Sequence, residues 1–194
     1  MDSRDALLEA AAEEFARSGL KGTRIREIVQ RSGVNERMIY HHFGSKEGLF
    51  RAVMEHEFGD MGRAWREMLA KAAELEPYEG MRMAFTAQFD LMHSRPLLVP
   101  LALQEGLSGF AIRPPLPADG LPAELRDLHE RGVAAGVFRA DVAFEVLYAT
   151  AALTLMGTPG MAGRFPSLLA DGDMTRLRDQ LVALLLDGLT GGDR

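Results

Sequence analysis

The sequence predicts an all-α protein of about nine helices, and three observations carry that expectation. Ala, Leu, Glu, Arg and Met dominate the composition. Apolar residues recur at steps of three and four along most of the chain, and no stretch sustains the alternating β-branched pattern of strands. The 194 residues suffice for one large or two modest domains with a self-sufficient core. With no cysteine in the chain, disulfides and thiolate metal sites are excluded. No apolar run reaches a membrane span, and the start MDSRDALLEA lacks the basic opening of a signal peptide. A soluble, cytoplasmic protein is expected.

The elements follow in order. Ser3 is placed to cap a first helix whose Ala6, Leu7, Ala10, Ala11 and Phe15 share a face, with Gly19 as its stop. Thr23 is placed to cap a short second helix with Ile25, Ile28 and Val29, ending near Ser32-Gly33. Asn35 caps a third from Glu36 to about Phe43, and Gly44 ends it. Ser45 then opens a long fourth helix through Leu49, Phe50, Val53, Met54, Phe58, Met61, Trp65, Met68 and Leu69. After Pro77 one stripe holds Met81, Phe85, Phe89 and Met92, and Pro96 opens a segment from Leu97 to about Leu107. The Pro- and Gly-rich residues 106–122 read as loop, either a gating segment or a surface connector. A helix from Pro122 to Ala135, closed by Gly136, precedes one capped by Asp141 and running to about Met156. A second loop, GTPGMAGRFPS, leads to a last helix with Leu177, Leu181, Leu184, Leu185 and Leu189. The last two helices have apolar faces wider than one neighbour needs. Either they are buried within the chain or they pair with a second copy, and their place near the C-terminus favours a homodimer.

Charge is unevenly spread. The net charge is −6, yet residues 17–51 carry eight basic residues against three acids, a net of +5. That island fits either a footprint for a polyanion or a solvated helical face. Geometry adds to it. The second and third helices, joined by a tight turn at Gly33, form a helix-turn-helix held by Ile28, Val29, Val34 and Ile39 against Phe15. With Ile39 and Phe43 turned inward, Asn35, Glu36, Arg37, Tyr40 and His41 must face outward. Such a helix suits a DNA major groove.

At this point residues 7–54 resemble the TetR-type one-component transcriptional regulators. The pieces are FARSGLKGT, IREIVQRSGV and IYHHFGSKEGLF, and the aromatic cluster before Gly-Ser-Lys-Glu is the most specific of them. The resemblance implies a DNA-binding domain at 1–48 and a ligand-binding and dimerisation domain at 49–194. It implies that Thr23 touches a phosphate, that Asn35, Arg37 and Met38 lie near base edges, and that Tyr40, His41 and His42 sit against phosphates or the groove wall. Lys46 would meet a phosphate at the start of the fourth helix, and Arg24 of the basic island joins the set. Independently, Arg37 has the chemistry to grip guanine with two bonds, and Lys46 to supply charge without sequence information. Bulky Glu36-Arg37-Met38 departs from the small residues usual at this place in the family.

The same resemblance implies an effector pocket in the second domain. Candidates to line it are Met61, Trp65, Met68, Phe85, Phe89, Met92, Phe110 and Tyr148, with Glu105 as a polar group beside Gln88 and His129. Each apolar candidate also reads as plain core, the more frequent outcome for a Met or aromatic stripe at helical spacing. A mostly apolar small molecule would be the effector and a palindromic double-stranded operator the other partner, with repression the expected output and activation the alternative. No cofactor is called for. Adjacent His41 and His42 point about 100° apart and share no ion easily, and the other histidines lack ligand spacing, so no metal is expected. An enzyme acting on an apolar substrate lacks a nucleophile elbow, a paired-carboxylate site or a phosphate-cradling loop, so no catalytic residue is assigned.

Overall fold

The structure, a computed structural model, describes residues 2–109, 120–161 and 173–190. Among the described residues there are nine helices and no strand. They are α1 (Ser3–Gly22), α2 (Ile25–Ser32), α3 (Glu36–Phe43), α4 (Lys46–Ala73), α5 (Pro77–His93), α6 (Leu98–Leu107), α7 (Ala123–Ala134), α8 (Phe144–Met161) and α9 (Met174–Thr190). None of them is long and apolar enough to cross a membrane. The chain divides into two compact units, Met1–Gly62 with Leu97–Pro115, and Arg63–Pro96 with Leu116–Arg194. The first unit thus runs past the expected boundary at residue 48 and takes in α6, which packs on α1.

In the first unit Leu7, Ala11 and Phe15 of α1 meet Ile28, Ile39, Leu49, Phe50, Val53 and Leu101 in one buried cluster. Phe15 and Phe50 lie edge to face, 4.9 Å between ring centres, a favoured arrangement of ring quadrupoles. The expected start of α1 shifts by one residue, since Asp2 occupies the cap position and Ser3 is already helical. The expected stop at Gly19 is a kink: its φ of 66° breaks the helical run, which resumes as far as Gly22. A Cβ on Gly19 would stand 2.6 Å from Gln104 Oε1, so glycine also admits the close approach of α6. Thr23 does not cap α2. Arg24 does, its N–H donating to Glu27 Oε2 at 3.2 Å.

The α3 boundaries match the sequence signals. Gly33 ends α2 with φ 68°, Asn35 Oδ1 accepts from Arg37 N–H at 2.9 Å, and Gly44 closes the helix with φ 75°. Ser45 Oγ accepts from Gly48 N–H at 3.0 Å and opens α4. The first half of α4 then buries Leu49, Phe50, Val53 and Met54 in this cluster.

The second unit is built around α5, which packs against α7, α8 and α9. Met81, Phe85, Phe89 and Met92 are all buried, so the stripe seen in the sequence is core on one face of α5. Leu69 and Ala72 from the end of α4 join that core with Leu125, Leu128, Phe138, Leu147, Leu155 and Leu186. Gly132 lets the Phe138 ring lie against α7, where a Cβ would come within 2.0 Å of it. Arg131 Nη2 donates to the carbonyls of Ala73 and Leu75 at 2.8 and 3.3 Å, which fastens the end of α4 to α7. Asp141 does not cap α8; it pairs with Arg139, and the helix starts at Phe144. The same helix reaches Met161, so the start of the expected second loop is helical. Asp173 caps α9, accepting from Thr175 N–H at 2.9 Å and Arg176 N–H at 3.1 Å.

Candidate nucleic-acid interface and effector cavity

The outer face of α3 is set by what its inner face buries. Ile39 is fully buried, and Val34, Met38 and Phe43 pack partly buried beside it. Asn35, Glu36, Arg37, Tyr40 and His41 are exposed, one contiguous stripe across the first turn and a half. Lys21, Arg24 and Arg26 are exposed at and before the start of α2. Among the described residues the Arg37 guanidinium has no hydrogen-bond or ionic partner. Tyr40 Oη donates to Glu36 Oε1 over a long 3.4 Å.

Four of the candidate DNA contacts, Thr23, Met38, His42 and Lys46, are wholly or partly engaged within the protein. Thr23 is buried, and its hydroxyl faces the carbonyls of Gly19 at 2.8 Å and Glu14 at 3.0 Å. Its hydroxyl therefore locks the α1–α2 junction and does not face solvent. Lys46 Nζ donates to the Thr23 carbonyl at 3.1 Å, which holds the start of α4 under the same junction and occupies one of its three N–H bonds. Met38 is half-buried and packs against the core of the first unit. His42 is half-buried and lies 3.1 Å from Ser3 Oγ, while His41 remains exposed with its ring against the edge of His42.

The orientation of α2 rests on Glu14, which is almost fully buried. Its carboxylate accepts from Arg31 Nε at 2.8 Å and pairs with Arg17, and Arg31 also pairs with Glu13. Bonding to Glu14 raises the Arg31 pKa, so the guanidinium is charged throughout the working range. Nothing in the spacing of the sequence singles out Glu14, since its neighbour Glu13 has the same side chain and stays exposed.

Within the second unit, α4 and α5 line an open-sided cavity of about 610 Å³, with Ala64, Arg82, Met83, Asp90 and Ser94 exposed around it, a size typical of small-molecule sites. Its walls are Ala64, Trp65 and Met68 from α4, with Met83, Ala87 and Leu91 from α5. Arg82, Thr86, Asp90 and Ser94 supply the polar groups. Asp90 is held by Arg178, whose Nη1 lies 2.9 Å from both carboxylate oxygens.

Of the expected pocket residues among those described, Trp65 and Met68 line this cavity and the others do not. Phe85, Phe89 and Met92 are corrected to core, because the face of α5 they occupy packs on α7, α8 and α9. Tyr148 packs on Phe144 at the same core, and burial raises its pKa. Glu105 is buried on α6 in the first unit. Met61 is half-buried and outside the lining, and Phe110 lies outside the described residues. His129 is buried between Phe138 and Phe144, with Nε2 unpartnered among the described residues. The α5 lining residues were missed because they sit one or two positions away from the core stripe, on the other faces of the helix. Periodicity reveals two faces and does not say which one a cavity adjoins.

Apolar side chains stand exposed on the last two helices. Val146 and Leu153 on α8 and Leu184 on α9 are 60%, 77% and 69% exposed. Val146, Ala149, Thr150 and Leu153 lie at steps of three, one and three, along one exposed line of α8.

These features define a helix-turn-helix DNA-binding protein with an all-helical second unit. The family model described as bacterial regulatory proteins, tetR family, matches residues 7–53. The transcriptional repressor NicS of Pseudomonas putida is 32% identical over 151 residues, 75% of this chain and 70% of NicS. The repressor KstR2 of Mycolicibacterium smegmatis is 30% identical over 150 residues, 75% of this chain and 72% of the relative. The solved structure of the ketosteroid transcriptional regulator KstR2 of Mycobacterium tuberculosis superposes with a TM-score of 0.72 at 23% identity, covering 97% of this chain and 95% of the other. The chain belongs to the TetR family of bacterial transcriptional regulators, and it is a regulator rather than an enzyme.

Proposed function

We propose that this regulator is a repressor that binds a palindromic operator as a dimer and leaves it when a mostly apolar small molecule fills the α4–α5 cavity. The observation that carries the DNA half is the exposed stripe of α3 with Arg37 unpaired among the described residues, together with exposed Lys21, Arg24 and Arg26 at and before the start of α2. Relatives named as repressors support the direction of control. The dimer reading is supported by exposed Val146, Leu153 and Leu184, since apolar patches of this kind mark interfaces. Regulators of this family act as dimers, which matches the two-fold symmetry of a palindrome.

Release is a population shift: an effector lowers operator affinity by as much as it prefers the state that fits the operator poorly. Support comes from α4, whose Phe50 and Met54 belong to the first core while Trp65 and Met68 line the cavity. The test is a gel-shift titration of the DNA upstream of the protein's own gene across a salt series. Affinity falls steeply with salt, and Arg24→Ala reduces the slope by about one. No shift at low salt defeats the DNA reading.

A further inference from the structure

The single acidic residue of α3 stands where a phosphate-binding surface should have none. Glu36 is exposed in the first turn, beside Arg37, and among the described residues the two make no ion pair with each other. The carboxylate is instead paired four residues along the same helix, with Tyr40 Oη at 3.4 Å from Oε1. That bond leaves Oε2 open, and it turns the only phenolic proton of Tyr40 toward Glu36 rather than toward a phosphate.

A carboxylate here repels the phosphate backbone and so weakens binding to every sequence. It is useful only if it finds a donor. In the major groove the donors are the exocyclic amino groups, N4 of cytosine and N6 of adenine, and acidic side chains pair with the first. Guanine and thymine offer acceptors at the corresponding edge and would face it as like partners. Arg37, next along the helix, has the opposite demand and matches guanine O6 and N7. Asn35 Oδ1 accepts the Arg37 N–H, which leaves the amide its two N–H donors and one oxygen lone pair.

Building on the DNA-binding reading above, we propose that Glu36 is a specificity-determining residue: its carboxylate requires a cytosine amino group at one position of each operator half-site, adjacent to the guanine taken by Arg37. The Tyr40 hydroxyl is the positioning group that aims the carboxylate. The bulky Glu-Arg pair at the start of this recognition helix is then a donor-and-acceptor reader of two neighbouring base pairs.

The experiment selects duplexes from a library with a randomised centre, using the full-length protein, Glu36→Ala, Glu36→Gln and Arg37→Ala, and sequences each bound pool. The wild type enriches a half-site with cytosine at one position and guanine beside it. In duplexes built from that consensus, replacing the cytosine pair lowers wild-type affinity by roughly tenfold. Glu36→Ala loses the preference at that position only, and binds the substituted duplexes as well as the consensus. Glu36→Gln moves the preference toward adenine, and Arg37→Ala loses the guanine while keeping the cytosine. A Glu36→Ala pool with the wild-type consensus at every position would overturn the proposal and leave the DNA-binding reading standing. A wild-type pool no different from its input would overturn both.

Discussion

Glu14 of α1 and Arg31 at the end of α2, 17 residues apart, are joined by a 2.8 Å bond from Arg31 Nε to Glu14 Oε1. The backbone carbonyl of the same Glu14 accepts from Thr23 just before α2 begins. One residue of α1 therefore holds both ends of the helix that supports the recognition helix. The two partners are not equivalent. Glu14 is buried while Arg31 is partly exposed, and a buried carboxylate left with Arg17 alone loses more than a guanidinium that reaches water. Arg31→Met should lower the thermal midpoint of the protein more than Glu14→Gln, which keeps an acceptor and removes the buried charge. The reverse order in calorimetry would refute this account of the tie.

Gly48 has a different constraint from Gly33. A Cβ on Gly48 would lie 2.0 Å from the Phe43 carbonyl oxygen, a backbone atom, while Gly33 has open space and only a positive φ of 68°. Gly48→Ala should cost about 1–3 kcal/mol through overpacking at the α3–α4 corner. Gly33→Ala should cost about 1 kcal/mol from the left-handed backbone alone. Denaturant titration of both variants separates the two causes, and equal costs would argue against the clash.

His129 should make the second unit sensitive to acid. Burial lowers its pKa below the ordinary 6.5; Glu130, a bond to the Val142 backbone and Glu145 oppose the shift, and Arg126 adds to it. A depressed pKa means that the folded state binds the proton less readily than the unfolded chain. The stabilising contribution is full above about pH 6.5 and is lost as pH falls toward and through the lowered value. His129→Phe, which keeps a ring between Phe138 and Phe144, should flatten the loss of thermal stability between about pH 7 and pH 5. An unchanged slope would exclude His129 as its source.

Trp65 is the sole tryptophan of the chain, so its fluorescence reports on the cavity it lines. Trp65→Ala should weaken the response of operator binding to an effector by roughly tenfold or more, as loss of a central aromatic contact does. Effector-free operator affinity should stay within about twofold. Equal losses in both titrations would remove Trp65 from the sensing role.

Leu153→Arg or Leu184→Glu should convert the protein to a monomer in sedimentation, by placing charge on the exposed apolar line of α8 or α9. A dimer persisting in both variants would place the interface elsewhere.

Much of this was legible in the sequence because it depends on local chemistry. Gly33, Asn35, Gly44 and Ser45 punctuate the helix-turn-helix, and a period of 3.6 with Ile39 inward was enough to put Arg37 and Tyr40 outside. What was not legible depends on long-range partners. Thr23 has the residue type of a helix cap, but the carbonyls of Glu14 and Gly19 claim its hydroxyl. Asp141 is likewise drawn off by Arg139. Phe85 and Phe89 could be core or pocket until α7, α8 and α9 are seen to cover them, and the cavity adjoins Met83 and Ala87 on the next face.

The central claim is that the outer stripe of α3 lies against DNA, and photo-crosslinking tests it most directly. A photoreactive phenylalanine analogue at Tyr40 should join the protein to duplex bound from its own upstream region, whereas the same analogue at Met83, on the cavity wall, should not. Crosslinking from Met83 and none from Tyr40 would contradict the assignment of α3 as the recognition helix.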